Sequence, residues 1–160
     1  MKNLIFCSLV FLFIISCSTT KQLTPTEMKA ISTKQFDANY DVVFRSAVSL
    51  LQSEGFLVEH TDIETGLINA SKRIENKKFG YQEAASTSKV AFYIDKINNN
   101  VTEVKLTIYE GSQMKWNNYN MYTGVNQQTK NKESIVQDAA IYQTWLYNLR
   151  TEIERRKATY

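Results

Sequence analysis

The sequence predicts an α+β fold: a two-layer sandwich, two helices packed on one face of a mainly antiparallel sheet, in the helix-grip-like order β-α-β-β-β-β-α. Three observations carry that expectation. Tyr40, Val43, Phe44, Ala47, Leu50 and Leu51 recur at three- and four-residue spacing, as on one face of a helix. Val104, Leu106 and Ile108 alternate with Glu103, Lys105 and Thr107, as in a strand with one side buried and one wet. Ile135, Ala139, Tyr142, Leu146, Leu149 and Ile153 form a second helical stripe near the C-terminus. A sheet wet on one side needs cover only on the other, so both helices belong on the same face.

The elements follow in order. Ile31 to Phe36 has a weak strand pattern. The first helix is expected from about Tyr40 to Glu54, with Asn39 as N-cap and Asp41 in the first turn, where negative charge suits the helix dipole. Gly55 then takes the left-handed position that ends the helix, and Phe56 supplies the accompanying apolar contact. A strand over Phe56–Thr61 places Phe56, Val58 and His60 on one face. Asp62 to Gly66 reads as a hairpin loop, and Leu67 to Lys72 as the returning strand.

Arg73 to Ser88 is polar and reads as a long excursion containing Phe79-Gly80-Tyr81. Val90, Phe92 and Ile94 mark the next strand, and Asn98-Asn99-Asn100 the turn into the strand around Val104. The last helix is expected from Ile135 to Lys157, opened by a capping box at Ser134-Ile135-Val136-Gln137. Arg150, Arg155, Arg156 and Lys157 offset the dipole at its C-terminal end. The stripe is too short and too aromatic for a coiled coil, with Trp145 beside it, so it packs on the sheet.

The N-terminus fixes an address. One basic residue, Lys2, precedes an apolar run from Leu4 to Ile15, and Ile14-Ile15-Ser16-Cys17 closes it. The run is about a dozen residues, inside the range of a signal peptide and short of the roughly 20 that span a bilayer. The closing tetrapeptide resembles a bacterial lipobox. That resemblance implies export, cleavage before Cys17 and lipidation of Cys17, so the chain divides into a signal peptide (1–16), a lipidated tether (17–29) and one α+β domain (30–160). More than one acyl chain, at about 0.8 kcal/mol per buried CH₂, holds a protein stably where a single chain is marginal. A tether of a dozen residues reaches roughly 40 Å when extended. Ser18, rather than Asp, follows the cysteine, which by the rule of enteric lipoproteins places the protein at the outer membrane, facing the periplasm.

A second resemblance lies in the domain. Tyr40-Asp41-Val42-Val43-Phe44, Leu50, Gly55-Phe56, Val58-Glu59, Asp62, Gly66, Ile68 and Ala70 resemble the helix-grip domains of BamC, a lipoprotein family of outer-membrane barrel assembly. The pattern covers residues 36–73 and consists mostly of capping and turn chemistry. It implies the fold and a setting in envelope assembly. The chain has one such domain where BamC has two, and lacks the long N-terminal region of that family.

Composition narrows the function classes. Loss of residues 1–16 removes Lys2 and no acid, so the net charge falls from +3 to +2, too near neutral for a nucleic-acid partner. Cys7 leaves with the signal and Cys17 carries lipid, so no disulfide is available. His60 is the only histidine and no free cysteine remains, which leaves no recognisable zinc set. His60 with Asp62 lacks a nucleophile elbow, and Glu59, Asp62 and Glu64 suit a solvated hairpin. The five glycines form no phosphate loop. Lys72-Arg73 and Lys77-Lys78 read as solvated or dipole-offsetting charge, with anionic lipid as their alternative partner.

One segment suggests recognition. Trp116, Tyr119, Met121 and Tyr122, interleaved with Asn117, Asn118 and Asn120, present flat rings and amides suited to protein or sugar surfaces. This segment is expected either to connect the last strand to the last helix or to pack its rings as an edge strand or under that helix. The sequence therefore predicts a monomeric, non-catalytic envelope lipoprotein without cofactor or metal. It would act as a protein-interaction module in envelope assembly or maintenance, membrane-bound through Cys17. The alternative is a periplasmic binder of a small apolar ligand or a glycan, held in a helix/sheet cleft or on residues 114–122.

Overall fold

A computed structural model describes residues 22–77, 82–120 and 124–159. Three helices pack on one face of a six-stranded antiparallel sheet, in the order α1 (Pro25–Ser32), β1 (Thr33–Phe36), α2 (Tyr40–Ser53), β2 (Leu57–Asp62), β3 (Leu67–Lys77), β4 (Gln82–Lys96), β5 (Thr102–Asn120), β6 (Gly124–Ile135) and α3 (Ala139–Lys157). The α+β two-layer architecture is as expected. It carries one helix and one strand beyond the expected order. The strands lie β1-β5-β4-β3-β2, with β6 also on β5. The first strand takes one edge of β5 at Thr102–Lys105, and β6 takes the same edge at Tyr109–Asn120.

The core follows the apolar rows. Val43, Ala47 and Leu51 of α2 and Tyr142, Leu146, Leu149 and Ile153 of α3 close over Ile68, Phe92, Ile94, Val104 and Leu106. Trp145 meets Phe56 and Phe92 edge-on, at centroid distances of 5.5 and 6.3 Å. The opposite face of the sheet is wet, and Lys105 sits 5.2 Å over the Tyr93 ring there.

The ends of α2 are built as its sequence implies. Asn39 accepts from the Val42 N–H at 2.9 Å. Phe56 N–H donates to Leu51 O and Gly55 N–H to Gln52 O, with Gly55 at φ +77°, which is the Schellman ending. The last turn of α2 has no basic residue of its own. Lys72 from β3 supplies the charge instead: its ammonium donates to Glu54 O at 2.9 Å and lies 5.7 Å from the Phe56 ring.

Four expectations change. Residues 25–29 of the expected tether are helical, because Thr24-Pro25-Thr26-Glu27 forms a full capping box with proline in the first turn. Met28 and Ile31 then pack on the core. The last helix starts at Ala139, capped by Asp138, because Ser134 and Ile135 remain in β6, paired with Glu110 and Tyr109. Gln137 accepts from the Leu23 N–H at 2.9 Å instead of closing a capping box.

The described parts of the polar excursion are ladder: β3 and β4 stay paired from Leu67/Tyr93 out to Lys77/Glu83, and Phe79-Gly80-Tyr81 lies outside the described residues. Finally, the register shifts between Val58 and His60. Val58 pairs with Ala70 of the core row, but His60 pairs with Asn69 and Asp62 with Leu67. The irregularity moves His60 off the face of Val58 and onto the wet side.

Candidate interaction surface

Helical cover ends at one row of the sheet, and the sequence changes there. Ala70, Val90 and Ile108 lie side by side and are 2–3% exposed. The next row on that face is Lys72–Ser88–Glu110–Ser134, followed by Ile74–Ser86–Ser112–Lys132. Large apolar side chains give way to serine and charge because no helix lies over them. Strands β3 to β6 nevertheless continue. The β5–β6 pair runs twelve register pairs from Tyr109/Ile135 to Asn120/Gly124. At about 3.3 Å per residue that is roughly 40 Å of sheet. We call this extension the arm.

Its root is a built joint. On the shared edge of β5, β1 stops at Lys105 and β6 begins at Tyr109. The Tyr142 side chain, fully buried, fills the gap between them. Its hydroxyl accepts from the Ile108 N–H at 3.3 Å and donates to Val136 O at 3.0 Å, while the Val136 N–H donates to Ile108 O at 2.9 Å. Burial raises the phenol above its ordinary pKa, so it stays a donor. One side chain thus completes a backbone ladder that two strands leave open.

Both faces of the near arm are polar and shallow. Ile74, Ser86, Ser88, Glu110, Ser112 and Lys132 line a trough of about 460 Å³ on the helix side. On the other side Gly111 leaves a notch of about 210 Å³ among Arg73, Thr87, Gln113 and Glu133. A Cβ there would make only ordinary contacts, the nearest at 3.6 Å, so the space is real and the backbone does not demand glycine. Lys89 pairs with Glu133 at 3.0 Å, and Gln113 donates to Asn131 at 3.2 Å. Isoleucines are half-exposed on both faces, Ile74 at 48% and Ile135 at 45%.

The edges of the arm offer backbone. The β2 strand pairs with β3 only as far as Ser71. Among the described residues no strand covers Lys72–Lys77 on that side, or the outer edge of β6. An antiparallel edge that no neighbouring strand covers is where a strand can be added.

The expected recognition residues fall on this arm, and not in a loop. Trp116 stands in β5, paired with Gln82 on one side and Gln128 on the other, and Tyr119 is paired with Val125. The segment is strand because β5 continues through it and β6 returns beside it. Met121 and Tyr122 lie outside the described residues. So does Cys17.

The hairpin acids have structural duties. Asp62 accepts from the backbone N–H groups of Glu64 and Thr65 at 2.9 and 3.3 Å. A hydrogen bond from the Thr65 side chain and these two amides hold its carboxyl below the ordinary range. Glu59 accepts from the Ser71 hydroxyl at 2.5 Å. Among the described residues no group of three His, Cys, Asp or Glu is placed to hold a metal ion. No protein-family model matches the chain, and a search of curated proteins finds no match either. The arm residues Ile74, Ser86, Ser88, Gly111, Gln113 and Lys132 carry no motif that singles them out. The signal available for them is register: a turn at Asn98–Asn100 couples the length of β4 to that of β5.

Proposed function

We propose that this protein is a lipid-anchored lipoprotein of the cell envelope that works through its arm: a non-catalytic interaction module in envelope assembly or maintenance. It is held at the outer membrane through Cys17 and faces the periplasm. The observation that carries the reading is the four-stranded arm. Among the described residues it is uncovered on both faces and open at both edges, and it projects from a body with a closed apolar core. The stretch of β3 beyond Ser71, which no strand covers on that side among the described residues, suits an extended partner segment that adds as a strand. The lipobox at Ile14-Ile15-Ser16-Cys17 supports the address, and the BamC-like turn chemistry of residues 36–73 supports the setting.

The apolar-ligand alternative has less support. The space between helices and sheet is filled by Val43, Ala47, Leu51, Phe92 and Leu106, each 0–1% exposed. The cleft expected for such a ligand is occupied by side chains.

A photo-crosslinking residue in place of Ile74 tests the reading, with one in place of Tyr147, which is 67% exposed on α3, as control. Irradiated cells are expected to give a discrete protein adduct from position 74 and none from 147. Adducts from 147 alone, or none from either, would count against the arm as the working surface.

A further inference from the structure

We infer that a groove along the outer side of α2 is a second binding site, and that it takes a free single-chain amphiphile with an anionic head: a carboxylate on an apolar chain. The site lies on the body, away from the arm, and is independent of the function proposed above.

The groove follows from the setting of α2. Its core stripe, Val43, Ala47, Leu50 and Leu51, is buried against the rest of the body. The two rows beside that stripe meet different neighbours. Phe44 and Val48, one turn apart, share the groove with Ile63 of the β2–β3 hairpin. The Tyr40 hydroxyl donates to Ile63 O and holds that hairpin against α2. Arg45 and Ser49, in the next row, meet the last turns of α3: Arg156 Nη2 donates to Arg45 O at 3.4 Å, and the Ser49 hydroxyl donates to Glu152. With Gln52 and Arg156 these residues enclose about 400 Å³. One wall is apolar, with Ile63 46% exposed, and the other is polar and cationic.

Arg156 points to a ligand. Its side chain is only 20% exposed and lines the groove. Its Nε is buried and has no acceptor among the described residues. Its Nη2 reaches Arg45 O at the outer limit of a hydrogen bond and Glu152 only at 3.9 Å. Glu152 is committed elsewhere, since Arg155 donates to it from Nε at 2.8 Å and from Nη2 as well. Arg45, the other arginine of the groove, is balanced by Asp41, with both carboxylate oxygens at 2.9 Å. Arg156 is therefore the cation of this surface that is short of acceptors. A guanidinium is a planar fork of five donors that matches a carboxylate, and a buried donor without an acceptor is destabilising. A carboxylate entering the groove supplies what Arg156 lacks, and the chain attached to it lies on Phe44, Val48 and Ile63. The volume suits a small molecule. The filled layer between helices and sheet plays no part.

Decanoate carrying a photoreactive diazirine at the far end of its chain tests the inference, applied to the full-length protein in its native membranes. Irradiation is expected to leave an adduct within residues 44–52, suppressed by plain decanoate and not by acetate. The corresponding uncharged alcohol is expected to label that segment weakly. Arg156→Met is expected to cut the labelling about tenfold, the loss of one hydrogen bond to a charged group. Its urea midpoint is expected to hold or rise, because methionine keeps the apolar stem and removes a donor that has no acceptor. Ile63→Gln, on an exposed hairpin, is expected to weaken labelling through the apolar wall. Equal labelling by the alcohol, or of the Arg156→Met protein, overturns the recognition of an anion. The absence of any adduct within 44–52 overturns the site. A clear fall in the midpoint of Arg156→Met also overturns it, since the arginine would then be a structural strut. Labelling of the segment by photoreactive phosphatidylglycerol and not by decanoate assigns the groove to a bilayer lipid and overturns the free ligand. None of these outcomes bears on crosslinking from position 74, so failure here leaves the function proposed above in place.

Discussion

Single residues hold the joints of this molecule, and their costs can be ranked. Gly55 and Gly66 both have positive φ, +77° and +76°, so alanine at either costs roughly 1–2 kcal/mol in backbone strain. Their surroundings separate them. At Gly55 an added Cβ meets the flexible Lys72 side chain at 3.5 Å; at Gly66 it would lie 2.0 Å from the carbonyl oxygen of Ile94. Gly66→Ala is therefore expected to lower the urea midpoint well beyond Gly55→Ala. Equal losses would contradict the cause given, the close approach of two backbones. Tyr142→Phe should cost about 1–3 kcal/mol, because the buried Ile108 N–H loses its acceptor. Its midpoint should fall with an unchanged denaturant slope. Asp62 gives a pH signature. Its carboxyl titrates lower folded than the ordinary value of about 4. Its contribution is thus present above that value and lost as pH falls through the folded one. Asp62→Asn, which can keep the turn's acceptor, is expected to flatten the loss of stability on acidification; an unaltered acid slope would place that loss elsewhere.

At the scale of elements, the body and the arm should separate. Replacing residues 113–130 by a tight turn is expected to leave the urea midpoint nearly unchanged, since the buried core ends at the row of Ala70, Val90 and Ile108. A body that unfolds with the arm removed would show that the arm supports the core. The same boundary decides what the sequence reveals. A strand writes a two-residue apolar period only where one face is buried and the other wet. Val90, Phe92 and Ile94 lie under the helices and are legible, as are Val104, Leu106 and Ile108. Residues 72–88 and 111–135 carry no such period, because no helix covers that half of the sheet. The far halves of β3, β4 and β5, and all of β6, are therefore silent in the sequence. The first helix escapes for another reason. Its capping box Thr24–Glu27 is readable, but eight residues with two apolar contacts give too short a stripe. At the other end, Ser134–Gln137 matches a capping box, yet pairing of Ile135 with Tyr109 overrides it and leaves Asp138 to cap. Of the proposed site, Trp116 and Tyr119 are visible in the sequence, which leaves loop and edge strand both open; the pairing with β4 and β6 decides for strand.

For the whole molecule, one sheet performs two tasks. Its covered half builds the body, and its uncovered half projects from the corner where the N-terminal segment arrives. Charge supports this division: Lys72 neutralises the end of α2 at the body's limit, and Lys89 and Glu133 pair across the strands on the arm's wet side. Hydrogen exchange on the protein in native envelope vesicles and in detergent micelles measures the division directly. Amides of α2, α3 and the row Ile68–Phe92–Leu106 are expected to exchange slowest in both settings. Amides of 72–77, 82–88, 109–120 and 124–135 are expected to exchange faster in micelles and to slow only in the envelope. New protection confined to the body, with the arm exchanging alike in both, would contradict the account.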